Sequence, residues 1–154
     1  MLALCLLLAT LPSPAAQGAP VVSIAPASML QFVSGGHALG FSTDGMYAAA
    51  GTHALHVNFV KANNVQPQTD SAVSADSQTA PLSRVTYASL WDGVTLAYAT
   101  SADSIYITTY TLAPGADVNH IRLRYNAPIT VNEDGTLSIA FETGALTESA
   151  PAAW

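Results

Sequence analysis

The chain has 154 residues, a formal net charge of −6 from 4 bases against 10 acids, and only 9% charged residues, which is room for one domain. Its bases, Lys61, Arg84, Arg122 and Arg124, are too few and too scattered to replace the counterions of a nucleic-acid backbone, and they disfavour binding to an anionic membrane surface for the same reason. Half of the residues are hydrophobic, so Ser, Thr, Asn and Gln must make the surface polar, a composition common in exported β-proteins.

Leu2 to Leu11 form an apolar run of h-region length, broken by Pro12-Ser13-Pro14 and followed by small residues. The pattern predicts a secretory signal peptide over residues 1–19, too short to span a bilayer, with cleavage after Ala15, Ala16 or Gly18. The n-region lacks a Lys or Arg, so the expectation is a true start upstream of Met1. Leu4 stands before Cys5 where a lipoprotein would carry a small residue. Cys5 is the only cysteine and leaves with the signal. The mature chain, residues 20–154, then has no disulfide, no thiolate metal site and no cysteine nucleophile, and rests on its hydrophobic core.

From residue 30 onward the chain reads as strands punctuated by turns. "LQFV" (30–33) leads through Gly35-Gly36 to "HALGFS" (37–42), and Asp44-Gly45 leads to "MYAAA" (46–50). Asp-Gly between apolar segments predicts a hairpin in which both turn residues accept positive φ. In "HALHVNFV" (53–60), Leu55, Val57 and Phe59 share one face while His56 and Asn58 share the other, the period of a half-buried strand. Residues 61–83 are the one long polar stretch and predict a surface loop with a short strand near Val65. Strands resume with "RVTYASLW" (84–91), Asp92-Gly93 and "VTLAYAT" (94–100), then "IYITTYTL" (105–112), whose β-branched and aromatic density predicts a strand partly covered on both faces. Pro114-Gly115 predicts a type II turn, with Asp117 and Asn119 bonding locally. After it Ile121, Leu123 and Tyr125 point inward, and Arg122 and Arg124 lie side by side on a solvent face. "PITVNEDGTLSIAFETGALTE" predicts two more strands about Asp134-Gly135 and the start of another. Strands at this spacing, with no helical period after residue 20, predict an all-β, antiparallel β-sandwich-like module.

Chemistry is sparse. His53 and His56 stand three apart on a strand and face opposite ways, so they cannot chelate one ion together; His37 and His120 would have to converge on them by folding. No Gly-x-Ser-x-Gly elbow, calcium loop or phosphate-cradling glycine loop occurs. Most of the carboxylates sit in turns, where Asp has a local role; Glu142 and Glu148 are the one pair that a hairpin places near each other. The expectation is therefore no catalytic residue, no metal and no cofactor. The candidate binding residues are Trp91, Tyr106 and Tyr110, whose rings suit a sugar or a protein partner if exposed, with Arg122 and Arg124 for an acidic or glycan ligand. Core and cross-strand packing is the competing role for the aromatics, and Trp91, just before Asp92-Gly93, is placed to cap the core. Blunting a sheet edge is the competing role for the arginines.

Three segments, "PLSRVTYASLWDGVTLAY" (81–98), "YTLAPGADVNHIRLRYNAP" (110–128) and "DGTLSIAFETGALTESAPAAW" (134–154), resemble the N-terminal β-rich domain of unknown function that precedes SBBP-type β-propeller repeats in large bacterial secreted or surface proteins. "LHVNFVKANN" (55–64) resembles a strand of that domain, and Trp91-Asp92-Gly93 departs from it where the family often has Pro before Gly. The resemblance covers residues 30–154. It implies export, further β-repeat modules after Trp154, and no assigned activity.

The reading is a structural or interaction module, secreted or at the cell surface, whose partners are downstream β-repeat domains of the same polypeptide. A bare indole at Trp154 agrees with a domain cut at its C-terminal end. The alternatives are a carbohydrate- or surface-binding module and part of a secreted hydrolase. They differ in what they require: an exposed apolar edge near residues 145–154, coplanar exposed aromatics, or titratable groups about 3 Å apart in a cleft.

Overall fold

Alternating burial along the strands builds a computed structural model that describes residues 29–70 and 83–154. The expected signal peptide and the middle of the 61–83 loop lie outside the described residues.

Five strands form the first sheet in the order β1-β2-β3-β4-β9: β1 (Leu30–Ser34), β2 (His37–Phe41), β3 (Gly45–Ala50), β4 (His53–Phe59) and β9 (Leu123–Tyr125). The second sheet has the order β5-β6-β7-β8: β5 (Gln68–Thr69), β6 (Arg84–Trp91), β7 (Val94–Ala99) and β8 (Ile107–Leu112). A third sheet is β10 (Ile129–Val131), β11 (Leu137–Phe141) and β12 (Gly144–Glu148). All neighbouring pairs are antiparallel. The all-β, sandwich-like reading holds.

One core joins the three sheets. Leu39, Phe41, Met46, Ala48, Leu55, Val57 and Phe59 come from the first, Val85, Tyr87, Leu90, Trp91, Val94, Leu96 and Tyr98 from the second, and Ile139 from the third. The period-two pattern of β4 places Leu55, Val57 and Phe59 in it and leaves His56 and Asn58 half-buried on the opposite face. Each large apolar side chain taken out of water there contributes about 1.5–3 kcal/mol. Rings set the distance between sheets: Phe41 lies 5.4 Å from Tyr98, and Phe59 meets Tyr87 edge-on at 5.0 Å and Trp91 at 6.0 Å.

A β-bulge shapes the middle of β6. Pairing with β7 shifts register between Tyr87 and Trp91, and Ser89 takes φ +53°. Three residues of β6, 88–90, stand against the single Thr95 of β7, and these two extra residues let the adjacent Leu90 and Trp91 both turn inward, which strict alternation forbids. Asn63 holds the bulge, its Nδ2 donating to Ser89 O at 2.8 Å and its backbone N–H to Leu90 O at 2.8 Å.

The turns partly depart from expectation. Both residues of a tight hairpin take positive φ at Gly35-Gly36 (+53° and +74°), where Ser34 pairs with His37. In the Asp-Gly turns only Gly93 (+71°) and Gly135 (+81°) do so, and neither Asp does. Gly45 needs no positive φ. It opens β3 against β4, where a Cβ would run into the carbonyl oxygen of Val57 and come within 3.2 Å of the Asn58 Cα. Pro114-Gly115 forms the expected turn, with Gly115 at +83° and Ala116 N–H donating to Ala113 O at 3.0 Å.

Two strand expectations are corrected. β8 starts at Ile107, two residues later than expected, and is the edge of its sheet; Thr108, Thr109 and Tyr110 are partly covered, and Ile107 and Leu112 are exposed. The short strand expected near Val65 is β5 at Gln68–Thr69, while Val65 packs against the core.

Gly45→Ala is expected to destabilise the fold by about 1–3 kcal/mol, because backbone atoms cannot make room for a methyl group. Gly51→Ala, in open space at a turn, is expected to stay within about 0.5 kcal/mol. Urea unfolding of the two variants checks the contrast.

Candidate functional site

The five candidate binding residues do not form one surface. Trp91 is 2% exposed and its Nε1–H donates to Val60 O at 3.1 Å, so its ring is an inter-sheet anchor and presents no face to a ligand. Tyr110 stands opposite Leu96 on the inner face of β8 and packs against the core. Tyr106 meets Tyr98 edge-on at 5.6 Å and is also partly buried. These three are corrected from ligand platform to packing: the side of the sheet on which they fall is the core side. Arg122 and Arg124 are exposed, as the alternation of the strand after the Pro114-Gly115 turn requires. The Arg122 Nε–H reaches Asn119 O at 3.4 Å, and Arg124 stands opposite Asn58.

Glu142 and Glu148 are not a pair. Glu142 lies in the exposed β11–β12 turn, whereas Glu148 stands at the far end of β12 opposite Leu137. Glu148 is half-buried and accepts the Tyr125 hydroxyl at 2.8 Å. Its carboxylate also lies close enough to Tyr98, Tyr106 and Tyr110 to disfavour a second negative charge on any of them. Burial first, and this charge second, push the ionisation of Tyr106, Tyr110 and Tyr125 well above the ordinary phenol range. Tyr98 is displaced the same way by burial and by its neighbours Tyr110, Tyr106 and Tyr87. Tyr87 is pushed up by burial and by Asp44, and its hydroxyl donates to Ser42 O at 2.9 Å. These phenols therefore keep their protons at neutral pH.

A second polar cluster sits at the end of the core face of the first sheet. His37 and His53 bring their Nε2 atoms to 2.9 Å, and His53 packs on Phe141 of the third sheet with ring centres 5.0 Å apart. A shallow cavity of about 150 Å³ opens beside His53, lined also by Thr52, Phe141, Thr143 and Leu146. The pair meets the distance expected of an active site, but its bonding does not suit a general base. His37 Nδ1 is taken by Gly35 O at 2.9 Å and its Nε2 by His53, while Ser34, buried in the same row, bonds to neither ring. Among the described residues no group of three or more His, Cys, Asp or Glu stands ready to hold a metal. On the outer face, Tyr47 stacks on His56 at 4.0 Å with 10° between the rings, and His56 Nε2 lies 3.0 Å from Asn58 Nδ2.

Sequence reasoning missed the His37–His53, Tyr47–His56 and Tyr125–Glu148 contacts. The first two follow from hairpin register, which the turns carried in outline. The third joins strands of different sheets and left no local signal.

These features define an all-β module of three antiparallel sheets around one core, with small polar clusters at its margin. The chain belongs to the family described as "Domain of unknown function (DUF7948)", whose model matches residues 34–154. Comparison with curated proteins and with solved structures found no match.

Trp91→Ala is expected to cost about 3–5 kcal/mol in chemical denaturation, as for a buried large aromatic. Alkaline pH is expected to unfold the domain. The folded state holds the phenolic protons of Tyr87 and Tyr98 that the unfolded chain releases above about pH 10. Stability is thus full below that pH and falls above it, by about 1.4 kcal/mol per pH unit for each of these two tyrosines. Absorbance of tyrosinate against pH, compared with circular dichroism, checks it: ionisation that runs ahead of unfolding would refute the assignment.

Proposed function

We propose that this domain is a non-catalytic structural module of a larger exported bacterial protein, secreted or held at the cell surface, and that it works by packing against a neighbouring β-module of the same polypeptide. One observation carries the reading. Ile129 and Val131 of β10 stand opposite Ile139 and Leu137, on the face by which the third sheet joins the core. Ile139 is buried, yet Ile129 is 47% and Val131 71% exposed. An apolar face that begins inside the core and continues into solvent suits a second module laid beside it. Export is supported by the apolar run of residues 2–11 followed by small residues. The identity of the neighbour as SBBP-type repeats rests on the resemblance of residues 81–154.

A second reading, a carbohydrate- or surface-binding module, has its own observation. The outer face of the first sheet sets Tyr47 beside His56, and Asn58 beside the exposed Arg124, with Arg122 two residues away. Hydrogen-bonding groups around an aromatic pair suit a glycan.

The double variant Ile129→Lys, Val131→Lys separates the two. In the domain alone it is expected to shift unfolding by no more than about 0.5 kcal/mol, since both side chains already meet water. In the polypeptide that includes the adjoining module, it is expected to split one cooperative melting transition into two. Independent melting of the two modules without the substitutions would sink the packing reading. Saturable binding to a polysaccharide panel, lost in Arg122→Ala, Arg124→Ala with the fold intact, would establish the second.

A further inference from the structure

The pairing of His37 with His53 is built by register. β3 runs between β2 and β4, and Ala50 lies level with both histidines: it pairs with His53, and the β2–β3 register that matches Ala38 with Ala49 sets His37 opposite Ala50 when carried one residue further. All three side chains share the core face, because directly opposed residues point the same way. The small Ala50 side chain lets the two imidazoles bridge over the middle strand, with ring centres 5.0 Å apart and Nε2 atoms 2.9 Å apart.

The remaining nitrogens define the protons. A carbonyl oxygen only accepts, so His37 Nδ1, 2.9 Å from Gly35 O, carries a proton and its Nε2 in the neutral ring is a bare lone pair. His53 donates its Nε2–H to that lone pair, which leaves its Nδ1 to face the Thr52 hydroxyl at 3.4 Å. One proton is all that separates two inward-facing donor nitrogens.

We propose that His37 and His53 form a two-point chelate for a divalent late transition-metal ion, copper(II) above all. Two nitrogens bound at right angles, each about 2.0 Å from an ion, lie about 2.8 Å apart, close to the separation present. The His37 Nδ1–H bond to a backbone carbonyl fixes the tautomer and aims Nε2, the arrangement that metal-ligating histidines use. Binding requires the proton on His53 Nε2 to move to Nδ1, from which it is donated in a hydrogen bond to Thr52 Oγ1; no proton is lost and the charge of the pair is unchanged. Water completes the coordination, with room in the cavity beside His53. Ser34, opposite His37 in the same row, supplies a buried hydroxyl that has no hydrogen-bond partner among the described residues. Two imidazoles without a third protein ligand do not make a tetrahedral structural zinc site, whereas nitrogen ligands in a tetragonal set suit copper(II), which also stands highest in divalent affinity. The other histidines are engaged differently: His56 with Tyr47 and Asn58, and His120 at 3.9 Å from Asp117.

The test is titration of the tag-free full chain with copper(II), read by calorimetry and by electron paramagnetic resonance. One equivalent is expected to bind with a spectrum showing two imidazole nitrogens. His37→Asn and His53→Asn are each expected to weaken binding at least tenfold, with the double variant no weaker than either single one, since half a chelate is no chelate. His56→Asn and His120→Asn are expected to bind as the unsubstituted chain does. Should either asparagine variant fail to fold by circular dichroism, Ala50→Leu takes its place: it keeps both ligands, blocks the bridge, and is expected to cost the same tenfold. The proposal is overturned if the unsubstituted chain binds no more tightly than these variants, if the spectrum shows a single imidazole, or if His56→Asn or His120→Asn removes the binding.

Discussion

The fold hangs on the meeting of Phe59 with Tyr87 and Trp91 between the two larger sheets. Three rings at 5.0–6.0 Å are wide enough to fill the interlayer space, and the two from β6 carry a polar end. The Tyr87 hydroxyl reaches Ser42 O and the Trp91 indole N–H reaches Val60 O, so each ties the second sheet to backbone at an end of a strand in the first. A purely aliphatic core would bury as much surface but leave the sheets freer to slide. Hydrogen bonds satisfied at both edges of the aromatic cluster define one relative position.

That position depends in turn on a local irregularity. Without the bulge at Ser89, Leu90 and Trp91 would fall on opposite faces, and one large apolar side chain would be turned to water. Asn63, from the segment after β4, satisfies the backbone that the bulge exposes. The first sheet therefore supports the defect in the second that lets the two sheets pack.

The third sheet is attached by fewer contacts and a more polar margin. Ile139 is its one buried anchor. Phe141 stacks on His53, and Glu148 accepts the Tyr125 hydroxyl. The same inner face runs out along β10 into solvent. Small polar clusters and an apolar strip thus lie side by side at the rim.

Alternation along β4, the Gly-Gly and Pro-Gly turns, and strands at short spacing determined the all-β antiparallel class and most strand positions from residues alone, because period two and positive-φ glycines are local properties. The exposure of Arg122 and Arg124 was legible for the same reason. The face on which Trp91, Tyr106 and Tyr110 lie was not: rings favour a core but also suit a binding platform, and only the approach of the second layer decided that they are packing. His37 and His53 stand 16 residues apart, and Tyr125 and Glu148 stand 23 apart. Their meetings require strand register across a small residue in the one case and the docking of a separate sheet in the other. Local sequence sets which way a side chain points; only the tertiary structure sets what waits there.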